Sequence, residues 1–448
     1  MTAARLRQWW ADLLAAFWLR PAGMTLAAIV LAELLVRAEG AFELPSSIGD
    51  WVYAGGTAGA RDVLGVVAAA TIGVAGTTFS ITVAALTLAL NQMGPRLLRN
   101  FTRDPGNQYA LGALVATFAY ALVALRAVHE GPEGTAFVPQ LAVSVALLLA
   151  FGCVGALIWF LHHVATSISV DRVVALVHRD LAAALAALPQ RDDAATAAPG
   201  GPDGAAPPPP PPGPDEAALL APAGGYLRVL DDDALADWAE GRDAVLRLRV
   251  RPGRFVFPGS VVGAVAPAAA RREAQAALEG AMRLGDARSI EQDVEFAVRQ
   301  LVEIGLRALS PGINDPVTAV AVLDRLGQAL CELAGRALPT GRTARGGRVR
   351  LSRPATDYPG LLDAMFHMLR QGGAPVPAAM IRLLEVLAEV AAVERDPERR
   401  RALRRHADLA RDTALGGTED AAAREAIAER HARAVAVLGG AAPAPAPP

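Results

Sequence analysis

The sequence contains no lysine: all 43 basic residues among its 448 are arginine. A P-loop needs its lysine on the phosphates, and Schiff-base chemistry needs a side-chain amine, so both are excluded. Cysteine is nearly as scarce. Cys153 lies in an apolar run and Cys331 in the charged half, so neither a disulfide framework nor a metal-ligand spacing is available, and a reducing compartment fits. HExxH, GxSxG and GxGxxG are missing. With 45 acidic residues the net charge is only −2, which leaves no basic footprint for nucleic acid. On these grounds neither cofactor nor metal is expected, and no enzyme.

Apolar residues, by contrast, make up 53% of the chain, and they concentrate before about residue 170. Four apolar runs follow one another: Pro21 to Val36, Asp62 to Met93, Asn107 to Leu125 and Phe137 to Ile168. The last three are long enough for the roughly 30 Å of bilayer hydrocarbon. The first is short. It either extends backward through Leu6, Trp9, Trp10, Leu13, Leu14 and Phe17 or follows an interfacial amphipathic helix with its tryptophans at headgroup depth. Arg5, Arg7, Arg20, then Arg96, Arg99 and Arg103, then Arg172 and Arg179 occupy alternate connections. The positive-inside rule then sets both termini in the cytoplasm of a bacterial inner membrane.

The predicted fold class is a mainly α membrane protein: four transmembrane helices, then a cytoplasmic domain with a small β unit and a helical bundle. The expected divisions are an amphipathic segment (1–20), a four-span membrane domain (21–170) and a post-membrane helix (171–198). A Pro-rich linker (199–214), a small β unit (215–267), a helical domain (268–437) and a disordered tail (438–448) follow.

Span two carries the most unusual pattern. At 100° per residue, Gly73, Gly76, Thr77, Ser80, Ala84, Thr87 and Asn91 share one stripe, and Thr71, Thr78, Thr82, Ala85 and Ala89 a second. Ile72, Phe79, Val83, Leu86 and Leu90 form a bulky sector between them. Two small faces predict a helix largely buried in protein. Its hydroxyls either pack helices together or line a water-filled path in an oligomer, so Thr77, Ser80, Thr87 and Asn91 form a candidate pore or packing stripe. Gln92, Arg96, Arg99 and Arg103 form a candidate cytoplasmic mouth, the arginines serving either as lipid anchors or as a basic vestibule. Glu33 and Arg37, one turn apart in span one, can neutralise each other.

In the second half, Ala244 to Val250 and Val261 to Val265 read as strands around a turn at Arg251-Pro252-Gly253, with Asp233 capping a short helix. Ser289 with Gln292 reads as a capping box that opens a helix. Glu291, Glu295, Arg299, Glu303 and Arg307 then recur at four-residue spacing, either as a solvated ladder or, with Asp293, as a carboxylate cluster. Ser310-Pro311-Gly312 breaks that helix, and Asp315 caps the next with Pro316 at its first position. Glu291, Asp293, Glu295, Asn314 and Asp315 are the candidate cytoplasmic interface.

Thr77 to Phe101, Arg288 to Val302 and Ala308 to Pro316 together resemble a family of bacterial predicted membrane proteins classed as a domain of unknown function, whose pattern reads TFS, SPRxLRNF, IEQDVEF and ALSPGINDP. The present sequence has Gly94 where the family commonly has serine. The resemblance implies an inner-membrane protein with a cytoplasmic domain and supplies no activity or catalytic residue. Two functions are compatible with it: a homo-oligomeric channel or channel-like transporter gated or assembled by its cytoplasmic domain, and a membrane-anchored sensor or scaffold for a soluble partner. Beyond the lipid bilayer and further copies of the chain, no partner is identified.

Overall fold

The computed structural model describes residues 18–41, 53–93, 105–130, 136–167, 170–191 and 215–440. The chain divides into two compact units, Met1–Ser169 and Val170–Pro448.

The first unit holds four helices long and apolar enough to cross a membrane: α1 (Leu19–Ala41), α2 (Thr57–Met93), α3 (Pro105–Ala127) and α4 (Gln140–Ser167). The fourth begins later than its apolar run, because Pro139 disfavours helix at the residue before it and Phe137 instead pairs with His129 in a β-bridge. At 37 residues α2 spans about 55 Å, well beyond the hydrocarbon core. Its inward face is a heptad-like seam of Leu64, Ala68, Thr71, Ala75, Thr78, Thr82 and Ala85, in alternating steps of four and three.

The most enclosed of the four is α3, rather than α2, and it packs on α1, α2 and α4. Gly112 lets α1 approach it: a Cβ there would meet the Met24 sulfur and, at 3.2 Å, the Pro21 Cα. Tyr120 is fully buried and its hydroxyl donates to Ala142 O at 3.0 Å. Glu39 of α1 accepts from the amides of Leu141 (2.5 Å) and Ala142 (3.2 Å), satisfying the free donors at the start of α4.

The second unit opens with α5 (Val170–Ala186), an amphipathic helix whose buried Val174, Val177, Leu181 and Leu185 face α8 (Val294–Ala308) and α9 (Pro316–Leu333). Strands β1 (Ala217–Leu220), β5 (Val261–Ala266), β3 (Val245–Leu248), β8 (Arg348–Ser352) and β7 (Arg342–Arg345) form one sheet in that order. It is antiparallel except between β3 and β8. Strands β4 (Phe255–Val256), β2 (Gly225–Leu230) and β6 (Met282–Gly285) form a second, antiparallel sheet. Helices α6 (Asp232–Gly241) and α7 (Arg271–Ala281) pack on the strands. The β unit therefore recruits segments from beyond residue 267. The remaining helices are α10 (Tyr358–Gly372), α11 (Pro377–Val393), α12 (Pro397–Gly417) and α13 (Ala421–Leu438). Helix α10 packs on α8 and α11 on α9, α12 packs on α10 and α11, and α13 on α11 and α12, with side chains such as Leu326, Leu362, Leu384 and Leu387 fully buried, each worth about 1.5–3 kcal/mol.

Two caps differ from expectation. Asp231, not Asp233, caps α6 by accepting from Ala234 N at 3.0 Å. Helix α8 starts after Asp293 rather than after Ser289: the Gln292 amide is drawn instead to the end of β2, accepting from Leu230 N at 2.9 Å and donating to Leu230 O at 3.1 Å. Asp315 does cap α9, with Pro316 at its first position. Residues 1–17 of the expected N-terminal segment (1–20), the expected 199–214 linker and residues 441–448 of the expected tail (438–448) lie outside the described residues.

Candidate functional site

The two small faces of α2 have opposite fates. Thr71 and Thr78 are buried in the seam, whereas Gly73, Gly76, Thr77, Ser80, Ala84 and Thr87 are all exposed in the single chain. The exposed stripe lies diametrically across the helix from the seam. It is the part of α2 farthest from its neighbours, with the exposed bulky residues Ile72, Phe79 and Val83 at its side. Each hydroxyl of the stripe donates to its own helix: Thr77 to Val74 O at 2.8 Å, Ser80 to Gly76 O at 3.0 Å and Thr87 to Val83 O at 2.9 Å. These bonds satisfy the protons and leave oxygen lone pairs facing outward. Asn91 and Gln92 lie on the helical part of α2, but their side chains are outside what is described, as are Arg96, Arg99 and Arg103.

At one end of the first unit, Glu33 is shared by two arginines, Arg37 at 2.9 Å and Arg126 at 3.4 Å. The expected Glu33–Arg37 pair is thus a triad that joins α1 to α3. It borders a groove of about 540 Å³ between those helices, walled by Ile29, Val30, Leu34, Leu122 and Val123.

The carboxylates of the 291–295 run are not a solvated ladder. Asp293 and Glu295 are buried, and each faces an arginine: Arg288 reaches Asp293 at 2.6 Å, and Arg251 reaches Glu295 at 2.6 Å. Thr356 also donates to Glu295 at 3.0 Å, and Arg299 stands 3.5 Å away. Glu291 alone is exposed, 3.5 Å from Arg228. Burial by itself would raise the Glu295 carboxyl, but the bonds from Arg251 and Thr356 hold it below its ordinary 4.5. At Asp293 burial wins over Arg288, and the carboxyl is raised above 3.8. The network ties the Arg251-Pro252-Gly253 turn of the β unit to the start of α8. It is an internal joint, because both carboxylates are spent on arginines of the same chain.

Asn314 and Asp315 are not part of that network. They follow the far end of α8, whose 15 residues span about 22 Å. Asn314 adopts a left-handed conformation, φ 48°, one that asparagine tolerates better than most residues. Asp315 accepts from the Thr318 amide (3.1 Å) and hydroxyl (2.6 Å), bonds that hold its carboxyl below the ordinary value. The five residues of the candidate interface therefore do not form one site. Beside the corner, Ile313 and Val317 are exposed.

Among the described residues one group of metal-type ligands does converge: Asp363 and His367 of α10 with His406 of α12. The sequence offered little sign of it, since Asp363 and His367 are an ordinary one-turn pair and His406 comes from another helix.

The family model described as "Predicted membrane protein (DUF2254)" matches residues 15–389. The uncharacterized protein Rv1290c of Mycobacterium tuberculosis and the uncharacterized protein Mb1321c of Mycobacterium bovis are each 35% identical over 391 residues, covering 86% of this chain and 74% of the relative. No solved structure matches.

Proposed function

Since the chain belongs to the DUF2254 family of predicted membrane proteins, we propose that it is a bacterial inner-membrane protein that assembles through α2 into a homo-oligomer, with the Thr77–Ser80–Thr87–Asn91 stripe toward the symmetry axis as a channel-like path. One observation carries this reading: from Gly73 to Thr87 the outermost face of α2 is small and hydroxylated where a lipid-facing helix would present bulky apolar side chains. Small residues let membrane helices approach closely, and symmetric association is the usual way to cover such a face. Because every hydroxyl of the exposed stripe gives its proton to its own backbone, its free lone pairs suit the partial replacement of an ion's hydration shell. The alternating arginines support an orientation with both termini in the cytoplasm. Gln92, Arg96, Arg99 and Arg103 then form the cytoplasmic mouth, and the 215–437 region gates or assembles the pore.

Purified protein in planar bilayers is expected to conduct ions, with Thr87→Leu altering the conductance. Absence of current under any voltage, tension or pH counts against the channel reading. A second reading, a membrane-anchored scaffold, rests on the exposed Ile313 and Val317 beside the Asp315 cap. It predicts that Val317→Glu abolishes capture of a defined soluble partner.

A further inference from the structure

Asp363 and His367 stand one turn apart on the same face of α10, and His406 meets them from α12. Three donors crowd a single carboxylate oxygen. His367 Nε2 lies 2.9 Å from Asp363 Oδ1, His406 Nε2 3.0 Å and Arg405 Nη1 3.0 Å. One carboxylate oxygen offers about two lone-pair positions, so three N–H groups cannot all be well satisfied there. If either imidazole instead turns a bare Nε2 toward the carboxylate, two lone pairs oppose each other. A cation at the centre relieves both problems.

The spacing fits that cation. Two ligands each about 2.0–2.2 Å from a zinc-class ion stand about 2.9–3.4 Å apart when their angle lies between 90° and tetrahedral. Both nitrogen–oxygen distances fall in this range; the two imidazole nitrogens lie within 4.8 Å of each other and would close to about 3.4 Å or less around the ion. The far-side nitrogens, Nδ1 of His367 and of His406, are buried without a hydrogen-bond partner. Neither tautomer is therefore fixed from behind, and a proton shift within each neutral ring frees Nε2 to coordinate. Arg405 can hold the carboxylate from outside, as hydrogen-bond partners of ligating carboxylates commonly do.

We propose that Asp363, His367 and His406 form a binding site for a zinc-class divalent transition-metal ion that clasps α10 to α12. Two imidazoles and one carboxylate are a borderline donor set suited to such ions rather than to calcium or magnesium. The side chains of Asp363 and His367 are only 35% and 32% exposed, and that of His406 1%. The ion is thus held from inside and open to water on one side, as in sites with three protein ligands and a free position.

The test uses the full-length protein in detergent, without a polyhistidine tag, stripped with chelator and titrated with Co²⁺. One equivalent should give visible d–d absorption that Zn²⁺ displaces, and Zn²⁺ should raise the midpoint of thermal unfolding. His367→Ala and Asp363→Asn, both at partly exposed positions, should weaken Co²⁺ binding by more than about tenfold while the helical circular dichroism is unchanged. The proposal is overturned if no d–d band forms in the native chain, or if the band persists undiminished in both variants.

Discussion

Thr77 and Thr78 are neighbours in the chain and lie on different faces of α2: Thr78 is 1% exposed and turned into the seam, whereas Thr77 is exposed on the outer stripe. Leucine at these two positions should therefore have separable effects. Thr78→Leu overpacks the seam and should lower the stability of the solubilised protein by about 1–3 kcal/mol. Thr77→Leu should leave stability unchanged and shift the mass distribution in native mass spectrometry toward monomer.

Gly112 sets the distance between α1 and α3. A methyl group there meets a flexible methionine sulfur, which can move, and the Pro21 backbone, which cannot. Gly112→Ala should cost about 1–2 kcal/mol by thermal unfolding in detergent. Met24→Ala should not restore it.

Two glycines of the β unit separate backbone strain from steric overlap. Gly253 and Gly259 both adopt positive φ, 87° and 71°, but only at Gly253 would a Cβ collide, there with the Asp293 carboxylate. Alanine at either position should cost about 1–3 kcal/mol for the conformation. Denaturant unfolding should show a larger loss for Gly253→Ala, and the excess reports the Asp293 contact.

The two buried carboxylates of the joint should give stability opposite pH slopes. Glu295 titrates below its ordinary 4.5 in the folded chain. Its contribution is present above that value and is lost as pH falls through the folded value. Asp293 titrates above 3.8, so its contribution is present below 3.8 and is lost as pH rises through the folded value. Unfolding midpoints measured from about pH 3 to pH 7 should rise less steeply with pH in Glu295→Gln and more steeply in Asp293→Asn.

The membrane unit was largely legible because apolar runs of span length have few alternative fates. The helical signal placed α2 and its two stripes, and the Asp315-Pro316 cap was explicit in the chain. The identity of the outward stripe was not legible, since either small face could have met a neighbour until α3 and α4 took one. The role of the IEQDVEF run was hidden for a similar reason. Its carboxylates look solvated by spacing, but Arg251 and Thr356, distant in sequence, fold over Glu295. Strands β7 and β8 were missed although Gly346-Gly347, at φ 55° and 73°, is a recognisable hairpin signal. The arginine-rich flanks obscured the alternation.

Disulfide crosslinking along α2 in native membranes tests the central claim most directly. In a chain with Cys153 and Cys331 replaced by serine, single cysteines at 73, 77, 80, 84 and 87 should form intermolecular dimers. Cysteines at 72, 79 and 83, in the bulky sector, should not. Crosslinks along the bulky sector, or none at any position on α2, would contradict assembly through the hydroxyl stripe.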